Sequence, residues 1–233
     1  MLRGAVAILI GAAVLSWSGL PRDSSIREQM LPVHMGNTEG RVLFVSRFEV
    51  TAESWAQCFR DKVCSHMPST ASRNAAKPMP VTGVNWFDVN EYLIWVNKRS
   101  GGGLRLPTLD EWREINHSAM KPKPVPLFTD PRLAWAASYG QEESPGGPVR
   151  PVGSFSKTPE GISDLDGNVW EWTATCYKTG FGGKDVDMCP AFFVMGAHEA
   201  VISVFERNPA AGGCATGTPP TYLGLRLVAD RER

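Results

Sequence analysis

A glutamate held between two tryptophans, just after a tight turn, constrains this chain more than any other feature. The stretch GISDLDGNVWEWTATCY runs from Gly161 to Tyr177. Gly167-Asn168 favours a sharp reversal, because both residue types tolerate backbone angles closed to most others. Beyond it the chain alternates, with Trp170 and Trp172 on one face of an extended segment and Glu171 on the other. That is the pattern of a half-buried strand. A carboxylate packed beside such bulk loses its water and needs a partner. Read from the residues alone, the partner is an arginine, such as Arg105 or Arg226.

The rest of the composition narrows the class. Of 233 residues, 24 are Lys or Arg and 24 are Asp or Glu. This balance, with no basic run, gives no sign of a nucleic-acid partner. Eight tryptophans, 23 glycines and 18 prolines favour a loop-rich fold with aromatic anchors over a helical bundle. The first residues, MLRGAVAILIGAAVLSWSGL, carry one early charge at Arg3 and an apolar run from Ala5 to Leu15. Ser16 and Ser18 stand where small residues precede a signal-peptidase cut. Residues 1–20 are therefore expected to be a signal peptide or an N-terminal anchor, 21–40 a linker, and 41–230 one domain. The chain is expected in the periplasm or secreted, with any membrane contact made only through an uncleaved N-terminus, and monomeric.

An oxidising compartment changes how cysteines are read. Cys58 and Cys64 enclose CFRDKVC, and Cys176 and Cys189 enclose a glycine-rich loop. Both pairs are disulfide candidates, which leaves Cys214 over. Spacing alone cannot fix the connectivity.

Local signals place the elements. Thr51 caps a helix in TAESWAQCFRD, and Asn85, with Asp88 three residues on, caps a second in NWFDVNEYLIWVNKRS. Thr108 and Glu111 form a capping box for a third, whose Trp112 and Ile115 face the core. Strand patterns lie in RVLFVSRFEV, GNVWEWTA, AFFVMGAH, ISVFERN and YLGLRLV. Lys121 to Pro151 reads as irregular loops. The sum is one α+β domain with little regular secondary structure.

The order of these motifs resembles the formylglycine-generating enzyme, or sulfatase-modifying factor, family. FEVTAESW, PVTGVNWFDVNEYLIWVN, LRLPTLDEW, PVGSFSKTPEGISDLDGNVWEWT and YLGLRLV carry the likeness over most of Arg47 to Val228. The resemblance implies a loop-rich, C-type-lectin-like fold. It also implies a structural calcium bound by Asp164, the carbonyls of Gly167 and Val169, and Glu171, a mixture of ligands that suits this ion. A second calcium site of the family falls near Gln141 to Gly147, where the residues match poorly.

The active site is where the likeness fails. The family's oxidases bind copper(I) through two cysteines, soft ligands that suit that metal. Counting from the turn at Met195 to Glu199 places Val201 and Glu206 at those positions, and no cysteine lies anywhere from Pro190 to Gly213. No copper is expected. His198 and Glu206 are the weak candidates for a catalytic role, either as acid and base or on another metal; the bland alternative is a turn residue and a solvent-facing charge. His66 and His117 read as surface residues. Three functions follow: an accessory or maturation factor acting on a protein or peptide client, an oxidoreductase of the same fold with a different metal or cofactor, or a non-catalytic lectin-fold binding module. The first is favoured, and whether any catalysis remains is left open.

Overall fold

The computed structural model describes residues 23–36, 40–69, 77–117, 149–177, 189–196, 199–204 and 223–231. Among these, β1 (Met30–His34), β2 (Val42–Ser46), β8 (Val228–Ala229) and β3 (Leu104–Arg105) form one four-stranded sheet in the order β1-β2-β8-β3. A second sheet has the order β6-β5-β4-β7, from β4 (Trp170–Cys176), β5 (Ala191–Met195), β6 (Glu199–Ser203) and β7 (Leu223–Gly224). All pairings are antiparallel except that of β4 with β7. Four helices complete the described fold: α1 (Ser25–Glu28), α2 (Ala52–Arg60), α3 (Trp86–Ser100) and α4 (Leu109–Asn116). The architecture is the expected loop-rich α+β one.

The helices begin where their caps predict. The Asn85 side chain accepts from the Asp88 amide while Asp88 accepts from the Asn85 amide, each at 2.9 Å. Thr108 and Glu111 make the same reciprocal pair, and Thr51 accepts from the Ser54 amide. Each arrangement satisfies amides that the first helical turn cannot. Helix α3 stops at Gly101, whose φ of 87° is readily adopted only by glycine. Its inward face buries Val89, Tyr92, Trp95 and Val96, whereas Leu93 is only partly covered.

Two clusters make the core. One gathers Trp55, Trp95 and Trp172 between α2, α3 and the second sheet. The other surrounds Trp112 with Val45, Leu165 and Met195. Strand β4 runs between them. The sequence pattern predicts a half-buried strand, but the consecutive residues Glu171, Trp172 and Thr173 are all buried, while Trp170 is partly open and the strand opens to solvent again only from Ala174. Packing on both faces is what makes Glu171 a buried charge.

Residues 21–40 are not a simple linker. They contain α1 and β1, and β1 pairs with the whole of β2, from Met30 opposite Ser46 to His34 opposite Val42. Short length and Pro32 hid the strand in the sequence; proline is tolerated because β1 is an edge strand. The segment from Leu223 to Ala229 joins the two sheets. Its ends belong to β7 and β8, and between them the carbonyls of Leu225 and Leu227 accept from the amides of Val50 and Ser46. Both expected disulfides form, Cys58–Cys64 and Cys176–Cys189. Cys214 lies outside the described residues. No helix among the described residues is long and apolar enough to cross a membrane.

Candidate functional site

The segment that joins the sheets carries Arg226 to the centre of the molecule. Arg226 is fully buried and meets Glu171, itself 1% exposed. Its Nε donates to both Glu171 oxygens at 3.0 and 3.1 Å, and Nη2 donates to Oε1 at 2.7 Å. The remaining N–H groups go to the carbonyls of Ser46, Arg47 and Ser163. The indole Nε1 of Trp112 donates to Glu171 Oε2 at 2.7 Å. Burial pulls the arginine pKa down, and the charge and hydrogen bonds of Glu171, with a further contribution from Asp164, outweigh it, so the net shift is upward. The partner of Glu171 is thus Arg226. Arg105, the other candidate, instead binds Glu111 at 2.7 and 2.8 Å and Asp230 at 3.0 and 3.1 Å.

The loop before β4 closes around the same centre. Asp164 and Asn168 both have positive φ, 69° and 70°. Asp164 Oδ1 accepts from the Phe155 amide at 2.8 Å, and Oδ2 accepts from the Gly153 amide. Asn168 Oδ1 accepts from the Arg150 amide, and its Nδ2 donates to Glu49 Oε1 at 3.1 Å. Gly167 is required for a steric reason: a Cβ there would meet the Phe155 ring at 2.6 Å. The Gly167 carbonyl accepts from the Val169 amide at 3.0 Å.

These contacts bear on calcium. Of the groups the resemblance assigns to the ion, Asp164, Gly167 and Glu171 already have partners inside the protein, and the positive charge facing Glu171 is a guanidinium. Among the described residues no three of His, Cys, Asp or Glu converge on one point. Arranged in this way, the donors do not fit a calcium cage.

Glu49 is the buried acid that sequence reasoning missed. It follows β2, is 2% exposed, and has Oε2 buried without a hydrogen-bond partner among the described residues. Burial pushes its pKa up from 4.5 to about 8; Arg226 pulls it down, and Glu171 and Asp164 push it further up. Glu49 is therefore protonated at neutral pH. No local pattern marks it, because its surroundings come from Asn168 and Arg226, far along the chain. Glu49 also borders a cleft of about 450 Å³ between α1, the start of α2 and α3, a size in the range of ligand pockets.

The other candidates lie elsewhere. Val201 stands in β6, paired with Phe193 of β5. His198, Glu206 and the stretch from Gln141 to Gly147 lie outside the described residues. At the start of the β5–β6 turn, a Cβ on Gly196 would meet the Trp170 ring at 3.0 Å, so this turn packs closely on the first tryptophan of the motif. His66 is partly buried and His117 exposed, with no metal-ligand group around either among the described residues.

Comparison with known proteins is consistent with this architecture. The family model of the sulfatase-modifying factor enzyme 1-like domain matches residues 3–231. The chain is 33% identical over 116 residues to a Mus musculus protein named inactive C-alpha-formylglycine-generating enzyme 2, covering 46% of this chain and 35% of that one. The protein of the same name from Bos taurus is 35% identical over 107 residues, 42% of this chain and 34% of that one. A serine/threonine-protein kinase pkn1 from Chlamydia caviae is 27% identical over 135 residues, 58% of this chain and 19% of that protein. The chain thus matches about a third of the length of the first two relatives. Among solved structures, PvdO from Pseudomonas aeruginosa superposes with a TM-score of 0.54 at 17% identity, covering 87% of this chain and 90% of that one. Treponema denticola variable protein 1 gives 0.50 at 16%, covering 87% and 95%. At such identities the likeness concerns the fold alone.

Proposed function

The chain belongs to the sulfatase-modifying factor family, and from that premise we propose that it is a member without copper chemistry, acting outside the cytoplasm as an accessory or maturation factor for a partner protein. The observation that carries this reading is chemical. The stretch from Pro190 to Gly213 contains no cysteine, with Val201 and Glu206 where the resemblance places a thiolate pair. A branched alkyl chain and a carboxylate offer copper(I) no soft ligand. The name of the mouse and cattle relatives, which includes the word inactive, points the same way. The two disulfides agree with an oxidising compartment. What the family membership leaves to such a chain is the scaffold and its surfaces, and these serve binding.

The test is direct. Purified protein is incubated aerobically with copper(I) and a cysteine-containing sulfatase-type peptide, and the peptide mass is followed. Unchanged peptide, with no copper retained after desalting, is the expected outcome. Conversion of the cysteine to an aldehyde would overturn the reading.

A further inference from the structure

We infer that the surface formed by the end of β2 and the loop from Arg150 to Lys157 docks an acidic segment of a partner polypeptide. This deepens the accessory reading and rests on it in one respect, that the partner is a protein. Two arginines define the surface. The guanidinium carbon of Arg47 lies 6.0 Å from the centre of the Phe48 ring, and that of Arg150 lies 5.5 Å from the centre of the Phe155 ring. A guanidinium stacked on a ring keeps its N–H edge for a carboxylate, which it can meet with two parallel hydrogen bonds. Both arginines are exposed, and neither makes an ion pair or a side-chain hydrogen bond among the described residues.

The two arginine–phenylalanine units share one platform. Phe48 packs on the loop at Gly153, where a Cβ would meet its ring at 3.1 Å, and Phe155 packs over Gly167. From beneath, Asp164 accepts from the Gly153 and Phe155 amides, and Asn168 accepts from that of Arg150. The Arg47 carbonyl accepts from the Ser163 amide at 2.9 Å. A surface held from below in this way loses little freedom when a ligand lands on it. Lys157, whose stem lies against Gly161, and Lys77, beside the Pro78 carbonyl that takes the Val152 amide, add two exposed cations. Neither forms an ion pair among the described residues. The acids of the same loop are Glu160, which is exposed, and Asp166, which accepts from the Ser156 amide. Four positive charges against two leave an excess of two. So modest an excess, with acids interleaved, suits a peptide whose few carboxylates can be placed one by one. A uniformly anionic membrane surface would meet Glu160 and Asp166 as well, and is bound by basic clusters free of such acids.

The experiment follows the anisotropy of a rhodamine-labelled peptide, Gly-Asp-Glu-Asp-Glu-Gly, as the full chain is added at low salt. The same peptide with Asn and Gln in place of its acids, and vesicles of equal parts phosphatidylserine and phosphatidylcholine, are titrated beside it. Saturable binding of the acidic peptide, with its amide counterpart at least tenfold weaker, is the expected result. Arg47→Gln and Arg150→Gln, at exposed positions, are each expected to weaken that binding about fourfold with Tm unchanged. Arg60→Gln, at an exposed arginine that ends α2, should leave it as it was. Equal binding of the two peptides, a loss with Arg60→Gln as large as with the other two, no saturation by the acidic peptide, or binding to the vesicles alone would each overturn the assignment. The copper incubation tests the accessory reading separately, so the two failures are told apart.

Discussion

Glu171 and Glu49 are both buried acids within reach of the same arginine, yet they are held in different ways. Glu171 receives Arg226 and the Trp112 indole, so each of its oxygens has a donor. Glu49 receives one amide from Asn168 and nothing on its second oxygen among the described residues. The first is a fully satisfied ion pair that ties β4 to the segment joining the sheets. The second is an acid that burial keeps protonated. Burial alone therefore does not set the role of a carboxyl group; the number and charge of its donors do.

The largest expected effect breaks the satisfied side of this comparison. Glu171→Ala leaves Arg226 buried without its counter-charge and should cost about 3–5 kcal/mol, read as a shift in the urea midpoint. A cost below about 1 kcal/mol would mean that water reaches the pair. The orphan acid should respond to pH instead. Its folded pKa, about 8, lies above the ordinary 4.5, so the folded state binds the proton more tightly. Its contribution is fully present below pH 4.5 and is lost as pH rises to 8, at roughly 1.4 kcal/mol per pH unit. Glu49→Gln removes this slope: the variant should match the wild type near pH 4 and exceed it in stability near pH 8, as seen by denaturation at both pH values.

Smaller effects sharpen the contrast. Trp112→Phe takes one donor from Glu171 and leaves the guanidinium in place, for an expected loss of about 1–3 kcal/mol by thermal melting. Calcium should matter least. Because the acids are engaged internally, chelation of the purified protein is expected to leave Tm unchanged within about 1 °C. A clear fall on chelation, restored by calcium, would show that the loop around Asp164 rearranges to admit the ion.

Much of this was legible in the chain, for reasons of distance. The three caps were readable because Thr51, Asn85 and Thr108 act on residues three positions away. The disulfide pairs were suggested by short enclosed loops. The need of Glu171 for a partner was readable from the bulk beside it. Strand β1 was not, since an edge strand with a proline has little pattern of its own. Glu49 was not, because an isolated acid near a strand end looks like any surface charge.

The sequence by itself determined where helices start, which cysteines enclose short loops and so are disulfide candidates, that a carboxylate would be trapped between tryptophans, and that no cysteine lies from Pro190 to Gly213. These depend on neighbours in the chain, or on residue types that are simply present or absent. Only the tertiary structure decided that Arg226 rather than Arg105 meets Glu171, and that Glu49 is buried with one oxygen unpartnered among the described residues. Those outcomes depend on residues 55 and 119 positions apart being brought together. That juxtaposition is set by two sheets sharing one connecting segment, and no local preference encodes it.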